Sequence, residues 1–375
     1  NVNNVLDPNI CVDPINDVKK VLYPEDHWTM LSDKISDFLN YTDGIELTSG
    51  MDVTPYIYDK DDHIIYVVNY VYTDSPADLA GIKRGDIFIK FNGRTVNKNN
   101  YKYFYLNDQT FTVTVAQYEK GTGYVETGQE YTITPVELHE NPILATNIYH
   151  IGDKKVGYIA YRSFTEDVLR LLAIMTQFKE ENVSELILDL RYNTGGYSST
   201  CNIFASMIAP VDNVLREDVF STSIYNKDVA EIYFNNNLDD RFMKAYASSN
   251  PDLKKVYFIT NANTASASEC LIVGLMPYMD VKCIGQKTHG KFCSGFVLEP
   301  GDIFIDEVNQ KYGYLYGDWG MYVMIGTFAN SKNENPCRPD GITPDVDVID
   351  NPFDGYQLGD ENESMLRAAL TLAGK

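Results

Sequence analysis

Residues 256–291 read VYFITNANTASASECLIVGLMPYMDVKCIGQKTHGK. Val256–Thr260 is a strand-like apolar run, and NANTASASE then leads into a helical pattern through Ala267, Cys270, Leu271, Gly274 and Leu275 that Pro277 stops. Val281–Ile284 returns as a second strand. A strand, helix, strand run of this length predicts a right-handed parallel crossover. An earlier unit has the same form: strand Val156–Tyr161, a helix with Val168, Leu171, Leu172 and Met175 on one face, and strand Glu185–Leu190. The second half of the chain is therefore expected to be an α/β sheet with helices packed on it.

Ser266 falls at the strand-to-helix turn. Such a turn exposes a side chain at the carboxyl edge of a sheet, and the helix N-terminus offers free N–H groups to a developing oxyanion. A serine needs a base. Lys291, 25 residues on, lies in the loop THGK just past the returning strand, which a crossover brings beside the first. It would act as a base only when desolvated enough to lose its proton near neutrality. Taken alone, ASASE reads first as a small-residue helix start with Ser266 as a cap.

Working outward, Asp13–Leu22 and His27–Leu39 read as short helices, the second through Trp28, Leu31, Ile35 and Leu39. Past Thr42–Gly44 the period changes, with strands expected at Ile64–Tyr72, Ile87–Phe91 and Phe111–Val115 in a mainly β unit. Residues 75–86, SPADLAGIKRGD, place a Ser75 or Asp74 cap, Pro76 in the first turn and Gly81 at the helix end. Continued as IFIKFNGRTV, this stretch resembles a PDZ domain over about Tyr41–Val136. That resemblance implies capture of an extended peptide on a sheet edge, with Gly44, Ile45, Glu46 and Leu47 as the peptide-binding loop. Glu46 stands where the family often has Gly, which disfavours capture of a terminal carboxylate.

NTASASE and GQKTHGK, with ILDLRYNTGG before them and GITPDV after, resemble the carboxy-terminal processing peptidases, or tail-specific proteases, from about Trp28 to the C-terminus. The resemblance implies an α/β catalytic domain with a mainly parallel sheet, a ClpP/crotonase-like core and an inserted PDZ-like domain. It implies a serine endopeptidase with Ser266 as nucleophile and Lys291 as general base, acting through an acyl-enzyme. Ala267 and either Gly195 or Gly196 would form the oxyanion hole, and Glu269 matches an acidic position that assists the dyad in some relatives. Ser268 is about 200° of helix rotation from Ser266, so both cannot face one site. Many relatives have Gly after the lysine and a Gln shortly beyond it, whereas Phe292, Cys293, Ser294 and Gly295 follow here. His289 is the alternative base. The expected division is a helical N-terminal segment (1–40), a PDZ-like domain (41–137) and a catalytic domain (138–375). The rival reading is a noncatalytic binding or scaffold protein that keeps the fold.

Composition narrows the partners. The formal charge is −22, from 31 Lys and Arg against 53 Asp and Glu, which disfavours nucleic acid and anionic lipid. The longest apolar run, Cys270–Met276, is far short of the roughly 20 residues of a membrane helix, so the expected partners are protein or peptide substrates. Six scattered cysteines and five histidines have no metal-ligand spacing, so neither a cofactor nor a catalytic metal is expected, and most cysteines should be buried and free. The acidic turn Asp59–Asp62 and the tail Asp360–Glu363 lack calcium-loop spacing. Sequons at Asn40, Asn182 and Asn362 matter only in a glycosylating pathway. The chain opens on Asn1 rather than Met, as expected of a processed or trimmed chain, and the resemblance implies export to a bacterial periplasm or cell envelope.

Overall fold

The long apolar strands of the second half assemble as their patterns require. In the computed structural model, which describes residues 11–104, 108–303, 317–337 and 339–375, six strands run in the order β10 (Ile143–Ile151), β11 (Lys154–Tyr161), β12 (Glu185–Asp189), β15 (Lys255–Thr260), β16 (Asp280–Gly285) and β19 (Val346–Asp347). All neighbours are parallel except β10 and β11. The sheet is apolar on both faces because both are covered. Leu186, Leu188, Val256 and Phe258 pack under helices α4 (Val168–Glu180), α5 (Ser198–Ile208) and α8 (Ala267–Leu275). Ile187, Tyr257 and Ile259 face α10 (Ser364–Leu372). The loops that follow β12, β15 and β16 therefore gather at one carboxyl edge, where parallel α/β sheets hold their sites.

The mainly β unit is a sheet ordered β3 (Met51–Ile57), β4 (Ile64–Val71), β5 (Ile87–Phe91), β7 (Phe111–Glu119) and β8 (Gly123–Ile133), with β6 (Arg94–Thr95) on β5. Ser75 accepts the Asp78 N–H at 3.2 Å and starts α3 (Pro76–Leu79), and Gly81 takes φ 87° beyond it, as SPADLAG predicts. A separate ribbon, β2 (Ile45–Thr48) with β9 (Val136–His139), joins this unit to the rest.

One expectation is corrected. The first ten residues of the N-terminal segment lie outside the described residues, and α1 covers Pro14–Lys19, but His27–Leu39 is not one helix. Met30–Ser32 is strand β1, and the helix, α2, spans Ile35–Thr42. β1 pairs antiparallel with the start of β18 (Gly320–Asn330), whose same edge continues onto β13 (Val219–Tyr225) and whose other edge takes β17 (Cys293–Leu298). β14 (Asp239–Arg241) completes this second sheet. Three short helices, α6 (Val211–Leu215), α7 (Lys227–Phe234) and α9 (Pro300–Ile303), fill its connections.

Candidate active site

The turn after β15 is tied down before it reaches Ser266. Thr264 Oγ1 accepts the Asn261 N–H at 3.0 Å and donates to the Leu190 carbonyl at 2.8 Å, which holds this turn against the loop after β12. Ser266 then takes φ 57° and ψ −114°, a conformation costly for any residue with a Cβ, and α8 begins at Ala267. Ser268 points the other way. It is fully buried and donates to the Asn193 carbonyl at 3.2 Å.

Glu269 is fully buried one turn into α8, and its two oxygens meet four donors. Oε2 accepts the Ser266 N–H at 3.0 Å and the Lys291 N–H at 2.9 Å. Oε1 accepts the Gly290 N–H at 2.7 Å and the Thr288 hydroxyl at 2.5 Å. One carboxylate thus links the serine turn to the lysine loop. The Lys291 side chain is half-buried, and burial lowers its pKa, outweighing the pull of Cys293 and Glu269 in the other direction. Its Nζ lies 3.5 Å from the Tyr322 hydroxyl and 5.2 Å from the centroid of that ring. Ser266, Ala267 and Lys291 line one cavity of about 630 Å³.

His289 does not join them. Its exposed ring sits 3.2 Å from the Ala262 carbonyl and edge-on to Trp28, outside the cavity lining. The loop after β12 separates the two glycines. Gly195 (φ 109°) donates its N–H to Asn193 Oδ1 at 2.8 Å, and a Cβ there would meet the Cβ of Ser266 at 2.8 Å. Among the described residues the N–H groups of Gly196 and Ala267 have no acceptor in the chain. Both residues line the cavity.

Sequence reasoning missed the far wall. Phe38 and Tyr41 come from α2, Tyr322 and Phe328 from β18, and Cys201 from α5. The pairing of β1 with β18, some 290 positions along the chain, and the bonds from the start of α2 to Asp318 bring α2 there. Of the expected peptide loop, Glu46 and Leu47 border a second cavity of about 280 Å³, whereas Gly44 and Ile45 do not. All four lie on or just before the β2 ribbon, and the edge strand of the larger sheet is β3, whose Met51, Asp52 and Val53 also line this cavity. Burial raises the carboxyls of Glu46 and Asp52 and pushes Glu140 up to about 6. Arg162 stands beside them, donating to the hydroxyls of Tyr70 at 2.7 Å and Tyr41 at 3.3 Å.

Elsewhere, Asp59, Asp61 and His63 gather on the turn between β3 and β4. Asp59 is engaged there by the His63 ring at 2.6 Å and by the N–H groups of Asp61 and His63. All six cysteines are free, four of them buried. Among the described residues no helix is long and apolar enough to cross a membrane.

Comparison with known proteins bears on the family and the fold. The chain is 26% identical over 221 residues to the carboxy-terminal processing protease CtpA of Bacillus subtilis, covering 58% of this chain and 42% of that one. It is 24% identical over 283 residues to the chloroplastic carboxyl-terminal-processing peptidase 1 of Arabidopsis thaliana, covering 72% and 50%. The chain thus spans half the length of these relatives or less. The crystal structure of a putative S41 protease from Bacteroides fragilis shares the fold, with a TM-score of 0.80 at 24% identity over 99% of this chain and 92% of that one. Residues 67–105 match a PDZ domain. Residues 155–348, more than half of the sequence, match peptidase family S41, and the chain belongs to that family.

Proposed function

We propose that this protein is a serine endopeptidase that cleaves protein or peptide substrates through a Ser266/Lys291 dyad. Neutral Lys291 takes the proton of Ser266 as its Oγ attacks the scissile carbonyl, then gives that proton to the departing amine. Water hydrolyses the acyl-enzyme by the same route in reverse. The N–H groups of Ala267 and Gly196 receive the oxyanion, Gly195 being committed to Asn193. The observation that carries this reading is the buried Glu269 carboxylate, which accepts the N–H of both Ser266 and Lys291 on one oxygen. That link holds the serine turn beside the lysine loop.

The test is hydrolysis of an unstructured peptide together with labelling by a fluorophosphonate. Wild type should cleave and be modified at Ser266, and Ser266→Ala and Lys291→Ala should each lose about 10³-fold or more while staying folded. Substantial cleavage by either variant sinks the dyad. Retention of activity in His289→Ala is also expected.

The unit formed by residues 41–137 is proposed to dock substrate on the free edge of β3 beside the second cavity, with Glu46 and Leu47 at its rim. Free and amidated C-termini should be compared. With three carboxyls and one guanidinium there, a strong preference for the free acid would overturn a dock for internal segments. The remaining divisions, 1–40 and 138–375, are proposed with residues 29–40 working as part of the catalytic unit. As the resemblance implies, the site of action belongs to a bacterial cell envelope.

A further inference from the structure

A lysine base on a long flexible stem needs its amine held in place. The four residues after Lys291, Phe292 to Gly295, include no amide or carboxylate that could do so. Glu269 contacts the Lys291 main chain instead, and its oxygens are already shared among four donors. Among the described residues the one hydrogen-bond partner of Nζ is the Tyr322 hydroxyl, at 3.5 Å, the outer limit of such a bond.

We propose that Tyr322 is the positioning residue for Lys291, its ring face and hydroxyl together aiming the amine at Ser266. This rests on the dyad reading above. Tyr322 is itself fixed from three sides. Its backbone pairs with Val297 of β17 and with Met30 of β1, and its ring lies 4.8 Å from that of Phe38 on α2. The groups that face Lys291 are Glu269 from α8, Cys293 from β17 and Tyr322 from β18, with Asp26 beyond Cys293. Burial pushes the Cys293 thiol up to about 11 and the Tyr322 phenol up to about 12, so both stay uncharged while a desolvated lysine titrates.

The sign of the effect follows. A hydroxyl oxygen and a π face both favour the ammonium over the free amine, so Tyr322 works against desolvation and also limits where the amine can go. Removing the hydroxyl should therefore lower the apparent pKa of Lys291 and slow the reaction even when the amine is fully deprotonated.

The experiment measures the rate of Ser266 modification by a fluorophosphonate on the full chain, by intact mass, across a pH series. It compares wild type, Tyr322→Phe, Tyr322→Leu and Lys291→Ala. Tyr322→Phe keeps the ring and its packing. It should show a plateau roughly tenfold lower and an apparent pKa about one unit lower, and Tyr322→Leu larger changes in both. A wild-type rate and pKa in Tyr322→Phe would overturn the proposal, and so would a lower rate with an unmoved pKa, which marks a packing role alone. If Tyr322→Leu fails to fold, the phenylalanine variant decides. Failure of the dyad itself is distinguishable, because wild type would then escape modification at Ser266 or Lys291→Ala would match it.

Discussion

Glu269 has two oxygens for four donors, so glutamine cannot replace it. Its amide nitrogen would face N–H groups that need an acceptor, and Glu269→Gln should cost about 2–4 kcal/mol in urea unfolding along with most of the activity. With Lys291 as the proposed base, its titration sets the pH profile. Its pKa is lowered by burial and a base acts in its neutral form, so cleavage should rise with pH and level off below the roughly 10.4 of free lysine. Lys291→Arg should stay inactive throughout, because guanidinium keeps its proton. The placing of Ser266 at a strand-to-helix turn and of Lys291 in the loop past the returning strand was legible in the sequence because a turn and its crossover are local patterns, whereas Glu269 entered through the resemblance. The choice between Gly195 and Gly196 was not, since it depends on which N–H the Asn193 side chain has already taken. Tyr322 was invisible for a related reason: no spacing rule links it to a lysine 31 positions earlier in a loop.

At the level of elements, the wall made by α2 depends on its anchor. Lys34 provides no side-chain cap, and Asp318 supplies one from across the chain, accepting the Ser36 N–H at 2.9 Å and the Ser36 hydroxyl at 2.6 Å. Asp318→Ala should loosen α2, which carries Phe38 and Tyr41 into the cavity, and raise KM for peptides several-fold with a smaller effect on the rate of Ser266 modification. Equal KM values would show that α2 is held by packing alone. The same segment explains where the sequence reading failed. Trp28, Leu31, Ile35 and Leu39 have helical spacing, yet Met30–Ser32 is a strand, because pairing with Gly320–Tyr322 outweighs local periodicity. By contrast β11, β12, β15 and β16 were read within a residue or two, since strands covered on both faces announce themselves as unbroken apolar runs.

Across the whole molecule, a buried cluster joins the unit around β3–β8 to the large sheet. Arg84 donates to Tyr192 and Asp350, both at 2.6 Å, and Arg191 donates to Asp350 at 2.9 Å, to Glu363 at 2.8 Å and to Asp189 at 2.8 Å. Tyr192 and Arg191 lie in the same loop as Gly196. Arg84→Met would remove one of the three donors to Asp350, leaving those of Arg191 and Tyr192, and should cost about 1–3 kcal/mol, read by urea unfolding. Burial pushes Asp350 and Glu363 up, but the two guanidinium groups outweigh it and hold both below the ordinary carboxylate range. Their stabilisation is present above the unfolded pKa and disappears as pH falls through the folded one, so acid unfolding should begin below about pH 4. Asp189 shifts upward instead, and its contribution has the opposite sign. Tyr41 borders both cavities, with its hydroxyl 3.5 Å from Thr194 Oγ1 on the catalytic side and within reach of Arg162 on the other. If one cavity grips and the other cuts, a peptide too short to pass that tyrosine can occupy either but never both. Turnover across a ladder of peptide lengths should then show a step, with the molecule acting as a gauge of length.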